Sequence, residues 1–382
     1  LEFFAVVRVL IDATAIPADR GGVGRYLDGL VAGLAGPGGD GADVTVVSRP
    51  GDQAFFAGLG AHTVAGPATL RRRPVRLAWE QTGLPRLARR ERADVLHCPH
   101  YTQPLVTGRA TVLTIHDATF FTHPQLHSAG KARFFRAATR IAARRAAGLI
   151  VPSAATRDEL ERVVGVPGRR VTVAPHGVDR ATFRPPSETG VAALREMLGV
   201  DRFVAFLGTV EPRKNVPNLI RAWTAAVAGR ADAPALVIAG GQGWDTDVDA
   251  AVAAVPSDLV LRRPGYLPLE QLPALLGGAD VVAYPSLGEG FGLPVAEAMA
   301  CGAAVLTTRR LSLPEVGGDA VAYTEPDASS IEVALRELLD DPGLRDKLRA
   351  AALDRAAEFT WERAARLHVQ AYADAAGTTG SR

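Results

Sequence analysis

Short β-branched runs alternate with longer amphipathic stretches along almost the whole chain, and the pattern occurs twice. The first half holds VVRVLID, VTVVS, DVLH, TVLTIH, GLIVPS and VTVAP; the second holds FVAFLG, ALVIAG, LVLR, DVVAYP, AAVLTT and AVAY. Runs this apolar on both faces suit the interior of parallel sheets covered by helices. Alternating β and α elements argue for a doubly wound α/β fold, here two Rossmann-like domains. The length of 382 residues agrees with two domains rather than one. The natural seam is PHGVDRATFRPPSETG at 175–190, where prolines, glycines and polar residues lie between the two periodic regions. A first domain over 1–186 and a second beginning at 187 are expected. Ligands of such folds bind beyond the carboxyl ends of the strands, so a cleft between two facing sheets is the expected site.

Composition removes several classes of function. The chain has 43 basic and 41 acidic residues, a formal charge of +2, so no global basic field argues for nucleic acid. No unbroken apolar run of about 20 residues offers a membrane span. The opening LEFFAVVRVLIDA lacks a basic leader and runs straight into strand-like sequence, so no signal peptide is expected. Two cysteines, Cys98 and Cys301, are too few for a disulfide framework or a zinc cluster. A cytoplasmic protein is the reading. Two stretches are strongly cationic, 70–92 and 131–148, and Arg133, Arg136, Arg140 and Arg144 recur at helical spacing. A solvated helix face is the plain reading. Weak peripheral contact with an anionic membrane surface, or a lipid-phosphate substrate, is the sharper one.

Four motifs follow strands. PRKN at 212–215 puts Arg213 and Lys214 just beyond FVAFLG, where cations can neutralise a diphosphate. GEGFGLPVAEAMACG at 288–302 follows DVVAYPS: Gly290 and Gly292 allow close backbone approach, and Pro294 suits the first turn of a helix ending near Gly302. Free N–H groups at that helix start bind phosphate oxygens. Glu289 precedes the turn and Glu297 lies one helical turn inside, so the two can hold separate portions of one extended ligand. RGGVGRY at 20–26 again sets glycines ahead of a helix, but its spacing is not that of the dinucleotide fingerprint, which disfavours a redox cofactor. TIHDATFFTHP at 114–124 places His116 and Asp117 at a strand end, where a histidine can donate to a sugar hydroxyl or simply hold a loop. His97, His100, His123 and His127 are near in sequence but match no standard zinc spacing, and no metal site is expected.

EGFGLPVAEAMACGAAVLTT, with GTVEPRKN, PHGVD and RGGVGRY in the same chain, resembles the retaining glycosyltransferases of family 4, which have the GT-B architecture. The resemblance covers nearly the whole chain and implies a nucleotide-sugar donor bound mainly by the second domain, with no cofactor. It identifies FTWERAARLHVQAYADA as the closing helix that returns to the first domain, which leaves 187–361 for the second domain and 362–382 for that helix and the tail. By motif, Glu289 would stand near the reacting sugar carbon and Glu297 at the ribose hydroxyls. Gly290, Phe291, Gly292 and Leu293 would hold sugar hydroxyls and diphosphate through the backbone. Arg213 and Lys214 would neutralise the leaving diphosphate, Gly22 would pack against the donor phosphates, and His116 would face the sugar. Many members carry arginine directly after the glycine that ends this strand; here Thr209 follows Gly208. GTVEPRKN resembles a branch rich in mannosyltransferases, which favours GDP-mannose as donor and a glycan, lipid-linked or small-molecule acceptor. The implied reaction is retaining and metal-independent hexosyl transfer. A nucleotide-sugar epimerase of the same architecture and a non-catalytic nucleotide-sugar or glycan-binding protein are the rival readings.

Overall fold

The computed structural model describes residues 6–16, 20–124 and 129–377; residues 1–5 of the opening and His127 lie outside the described residues. The chain forms two compact units, Leu1–Gly177 with Thr360–Arg382, and Val178–Phe359. The first passage between them, at Gly177–Val178, falls inside the proline- and glycine-rich stretch but ahead of residue 186.

Among the described residues, the first unit is built on seven parallel strands: β1 (Val7–Asp12), β2 (Ala42–Ser48), β3 (His62–Ala65), β4 (Val95–Cys98), β5 (Ala110–Thr114), β6 (Gly148–Val151) and β7 (Val171–Val173), in the order β3-β2-β1-β4-β5-β6-β7. Successive side chains point to opposite faces, so Val9 and Ile11 enter one core while Leu10 enters the other. Strand β3 is not among the runs expected from the sequence. It is a four-residue edge strand, half exposed, and lacks the apolar run that marks its neighbours.

The helix Trp361–Gly377 belongs to this first unit. It buries Ala364, Ala365, His368, Ala371, Tyr372 and Ala375, a three–four spacing that lays one stripe against the core. It packs closely on the helix Gly21–Ala35 because that helix presents glycine at the contact. A Cβ on Gly33 would stand 2.5 Å from the Trp361 carbonyl oxygen, and one on Gly29 2.0 Å from the Trp361 ring.

Beneath that contact runs a buried chain of hydrogen bonds whose proton directions are fixed. His368 Nδ1 faces the Ala364 carbonyl at 2.7 Å, which can only accept, so Nδ1 carries the proton and Nε2 accepts. Tyr26 therefore donates to His368 Nε2 at 2.8 Å and accepts from Thr114 Oγ1 at 3.0 Å. Thr114 Oγ1 accepts from His97 Nε2 at 2.8 Å, and His97 Nδ1 accepts from Tyr372 at 2.9 Å. Both histidines must be neutral for this pattern. Burial keeps them so, holding His97 well below its ordinary value and His368 at about 4.

The second unit has six parallel strands among the described residues: β8 (Phe203–Leu207), β9 (Ala235–Ala239), β10 (Leu261–Gly265), β11 (Val281–Tyr284), β12 (Val305–Thr308) and β13 (Ala322–Thr324), in the order β10-β9-β8-β11-β12-β13. Strands β8, β9, β11 and β12 are buried along their whole length, as their sequence requires of central strands. No helix of the described residues is long and apolar enough to cross a membrane. Half of the expected arginine stripe is engaged inside the unit that carries it: Arg136 donates to the Phe120 carbonyl at 2.6 Å, and the Arg140 guanidinium lies 4.9 Å from the Phe121 ring centre.

Candidate active site

Strand order in the second sheet reverses between β8 and β11, so the loops after these two strands diverge and leave a crevice at their carboxyl ends. The loop after β8 makes a tight turn over Pro212–Lys214 and then places Asn215 at φ 61°, a left-handed conformation that asparagine tolerates better than most residues. The two loops are tied together. Leu287 N–H donates to the Arg213 carbonyl at 2.7 Å, Ser286 Oγ lies 2.9 Å from the same oxygen, and Asn215 Nδ2 donates to the Pro285 carbonyl at 3.2 Å.

Arg213 and Lys214 converge on Glu289. Lys214 Nζ stands 2.6 Å from Oε1, and Arg213 Nη1 donates to Oε2. Ser286 Oγ at 2.7 Å and the Tyr284 hydroxyl at 3.0 Å also donate to Oε1, and Lys214 donates to the Tyr284 oxygen. The carboxylate is buried. Burial alone would push its pKa up, but Arg213, Lys214 and the hydrogen bonds outweigh that and hold it at about 2. Lys214 responds in the opposite sense: burial and Arg213 bring it down to about 8 despite Glu289. Arg213 Nε also pairs with Glu211 at 2.8 Å, so two cations face two carboxylates and the cluster is close to charge balance.

Beyond Glu289 the chain turns through Gly290, Phe291 and Gly292 into the helix Leu293–Ala300. Gly292 caps this helix at φ 99°, and a Cβ there would also stand 2.8 Å from the Leu313 side chain. Ser312 Oγ lies 2.8 Å from both the Glu289 and the Phe291 carbonyls and fixes the turn. Phe291 is buried with its ring edge-on to Phe359. Glu297 is 2% exposed within the helix, although a glutamate on an amphipathic helix ordinarily faces water. Leu293 is the first residue of that helix.

His116 and Gly22 belong to the first unit. His116 follows β5, is half-buried, and donates from Nε2 to the Pro99 carbonyl at 2.9 Å. Its enclosed ring has a lowered pKa, so it is neutral and Nδ1 is an acceptor; the ring can receive a hydroxyl proton rather than donate one. Gly22 is the second residue of its helix, exposed, and a Cβ there would meet nothing within 4 Å. Nothing inside the described protein requires glycine at that position.

The sequence motifs point to Arg213, Lys214 and Glu289 but not to Glu211, Tyr284, Ser286 and Ser312, which complete their surroundings. Tyr284 ends an apolar strand and Ser286 lies two residues on. Only the strand end itself, where loop chemistry begins, offers a signal.

The sequence pattern of Glycosyltransferase Family 4 matches residues 20–182, and that of Glycosyl transferases group 1 matches residues 197–355. An O-antigen chain mannosyltransferase B from Escherichia coli is 31% identical over 281 residues, 73% of this chain and 74% of its own. A D-inositol 3-phosphate glycosyltransferase from Xylanimonas cellulosilytica is 36% identical over 243 residues, spanning 58% of this chain and 56% of its own. Among solved structures, Anabaena HepE in complex with UDP-glucose superposes with a TM-score of 0.72 at 18% identity, covering 98% of this chain and all of that one. Two parallel-sheet Rossmann-like domains and these relatives agree: the chain belongs to the family 4, group 1 glycosyltransferases and has their GT-B fold.

Proposed function

We propose that the chain transfers a hexose, with mannose favoured, from a nucleoside-diphosphate sugar to an acceptor with retention of configuration and without a divalent metal. The carrying observation is the convergence of Arg213 and Lys214, from the loop after β8, on Glu289, from the loop after β11. Breaking a sugar–diphosphate bond leaves negative charge on phosphate and positive character on the sugar ring. The Arg213–Lys214 pair and the start of helix Leu293–Ala300 would stabilise the first without a metal, and the Glu289 carboxylate the second. In the free protein the two cations are already partnered, so the donor diphosphate binds by sharing them with Glu289 and Glu211. Backbone groups of Gly290–Leu293 take sugar hydroxyls and phosphate oxygens, Glu297 takes the ribose, Gly22 leaves room for phosphate, and neutral His116 accepts from a sugar hydroxyl.

A carboxylate held at about 2 is a poor proton acceptor and a weak nucleophile near neutral pH. Same-face attack, with the departing phosphate taking the acceptor proton, is therefore favoured over a double displacement through Glu289. Mannose is favoured because the E. coli relatives are named mannosyltransferases, and a nucleoside-diphosphate donor because HepE carries UDP-glucose. A panel of nucleotide sugars with phosphorylated, lipid-linked and free-sugar acceptors, run with and without excess chelator, tests the reading. Released nucleoside diphosphate and an α-linked product from an α-linked donor, in chelator, are expected. An isomerised donor, an inverted linkage or activity dependent on added Mg²⁺ overturns it.

A further inference from the structure

Strand order in the first sheet also reverses, between β1 and β4. The loops after β1, β2 and β4 enclose a recess of about 170 Å³ at the carboxyl ends of those strands. Its wall carries Arg49, Arg71, Arg73 and Arg76, with His100 and Phe135 beside them, and among the described residues no carboxylate. Arg76 is buried and tied to Glu80 at 3.1 Å; Arg49 Nε donates to the Thr14 carbonyl at 3.0 Å, and the Arg73 guanidinium lies 5.8 Å from the Phe135 ring centre. Of the four, Arg76 alone has a carboxylate within ion-pair distance among the described residues. Among the described residues, three arginines therefore bring charge to one concave place without a carboxylate partner. That is the opposite of the balanced cluster around Glu289.

Four arginines around one concave place repel one another, and an anion seated among them would relieve that repulsion. A volume of 170 Å³ is below the roughly 300–1,000 Å³ of pockets that enclose a whole small molecule, so a single charged group suits it. Guanidinium forks match phosphate oxygens in pairs, and several converging arginines call for more than one negative charge. The cationic stretch at 70–76 thus has a use that the helix carrying Arg136 and Arg140 does not share. The geometry points to a phosphate-binding subsite at the switch point of the first sheet, held by Arg49, Arg71, Arg73 and Arg76, that receives a phosphate carried by the acceptor. This subsite rests on the reading of the chain as a transferase for its meaning, but its anion chemistry can be measured without turnover.

The phosphate can be borne by a soluble sugar or by a lipid, and two probes separate these sources. Calorimetry with mannose 6-phosphate against mannose tests the soluble form. Sedimentation with phosphatidylcholine vesicles doped with phosphatidic acid, against phosphatidylcholine alone, tests the lipid form. Arg71 and Arg73 are exposed, so the double variant Arg71→Gln, Arg73→Gln keeps the fold, which an unchanged melting temperature would verify. Binding of at least one phosphate probe, weakened about tenfold or more in the double variant and unchanged in Arg213→Gln, is expected. Failure of both probes to bind the unaltered protein, or equal binding by the double variant, overturns the subsite. Phosphate binding that needs Arg71 and Arg73, in a protein that transfers no sugar, would sustain the subsite and defeat the transferase reading.

Discussion

Tyr26 and His368 lie 342 residues apart in sequence, yet the hydroxyl of one stands 2.8 Å from Nε2 of the other in a buried place with all protons assigned. The bond joins the helix Gly21–Ala35 to the helix Trp361–Gly377, and it exists only while His368 is neutral.

Acid should therefore loosen this joint. His368 titrates at 6.5 when exposed and at about 4 when folded, so its stabilising effect is complete above pH 6.5 and is lost as pH falls from 6.5 towards 4. That difference amounts to about 3 kcal/mol at roughly 1.4 kcal/mol per unit. His97 and His176, also lowered by burial, act in the same direction. Asp28, pushed up to about 6 by burial, acts in the other, so comparison with a variant isolates the histidine. Urea unfolding of the unaltered protein and of His368→Gln across pH 4–7 should give stabilities that converge as acid is added, the unaltered protein falling more steeply. Parallel curves would show that the ring is not held neutral.

Glu289→Gln removes the shared counter-ion of Arg213 and Lys214 while keeping volume. Turnover should fall about a hundredfold or more, as when an electrostatic partner of the transition state is lost. Nucleoside diphosphate should bind as well or better, because the two cations gain freedom to face phosphate. Stability should drop by about 3 kcal/mol, since Lys214 is left buried without its carboxylate. Loss of nucleotide affinity in calorimetry would contradict the assignment.

Glu297→Ala should weaken bare nucleotide and nucleotide sugar alike, by about tenfold or more, because the ribose hydroxyls lose a charged acceptor. Glu297→Gln, which fills the same space, should lie between. Unchanged nucleotide binding in both variants removes Glu297 from the ribose site.

Gly33→Ala and Gly22→Ala sit on the same helix and should behave oppositely. A Cβ on Gly33 presses on the Trp361 backbone, an overpacking cost of about 1–3 kcal/mol that exceeds the gain of up to about 1 kcal/mol from helix propensity. Its melting temperature should fall. Gly22→Ala meets no protein atom, so its melting temperature should hold, while donor-dependent turnover falls if phosphate packs there. Full activity in Gly22→Ala would free that position of any donor role.

Both sheets are legible in the sequence because β8 and β11 are apolar on both faces and β1 is interrupted only by Arg8 and its closing Asp12, whereas β3 is hidden by its edge position and its histidine and threonine. The residue types at the second switch point are legible too: glycines before a helix and a cationic pair after a strand each advertise a ligand. That Arg213 and Lys214 reach Glu289 is not, since 76 and 75 residues separate them and only strand order brings β8 beside β11. Tyr284 and Ser286 look like any strand end until their partner is known. His97 invites a question about zinc and proves to be a hydrogen-bond link to Thr114 and Tyr372.

The first unit takes its closing helix from beyond the second, while the second is one uninterrupted stretch. A ribosome thus releases Val178–Phe359 whole, at a time when the sheet made before it still lacks Ala365, Ala371 and Tyr372 to cover one face. Tyr26 and His97, already joined through Thr114, each wait for one more partner until His368 and Tyr372 emerge. The domain begun first is the domain finished last, and its exposed apolar face is the surface that a chaperone would meet during synthesis.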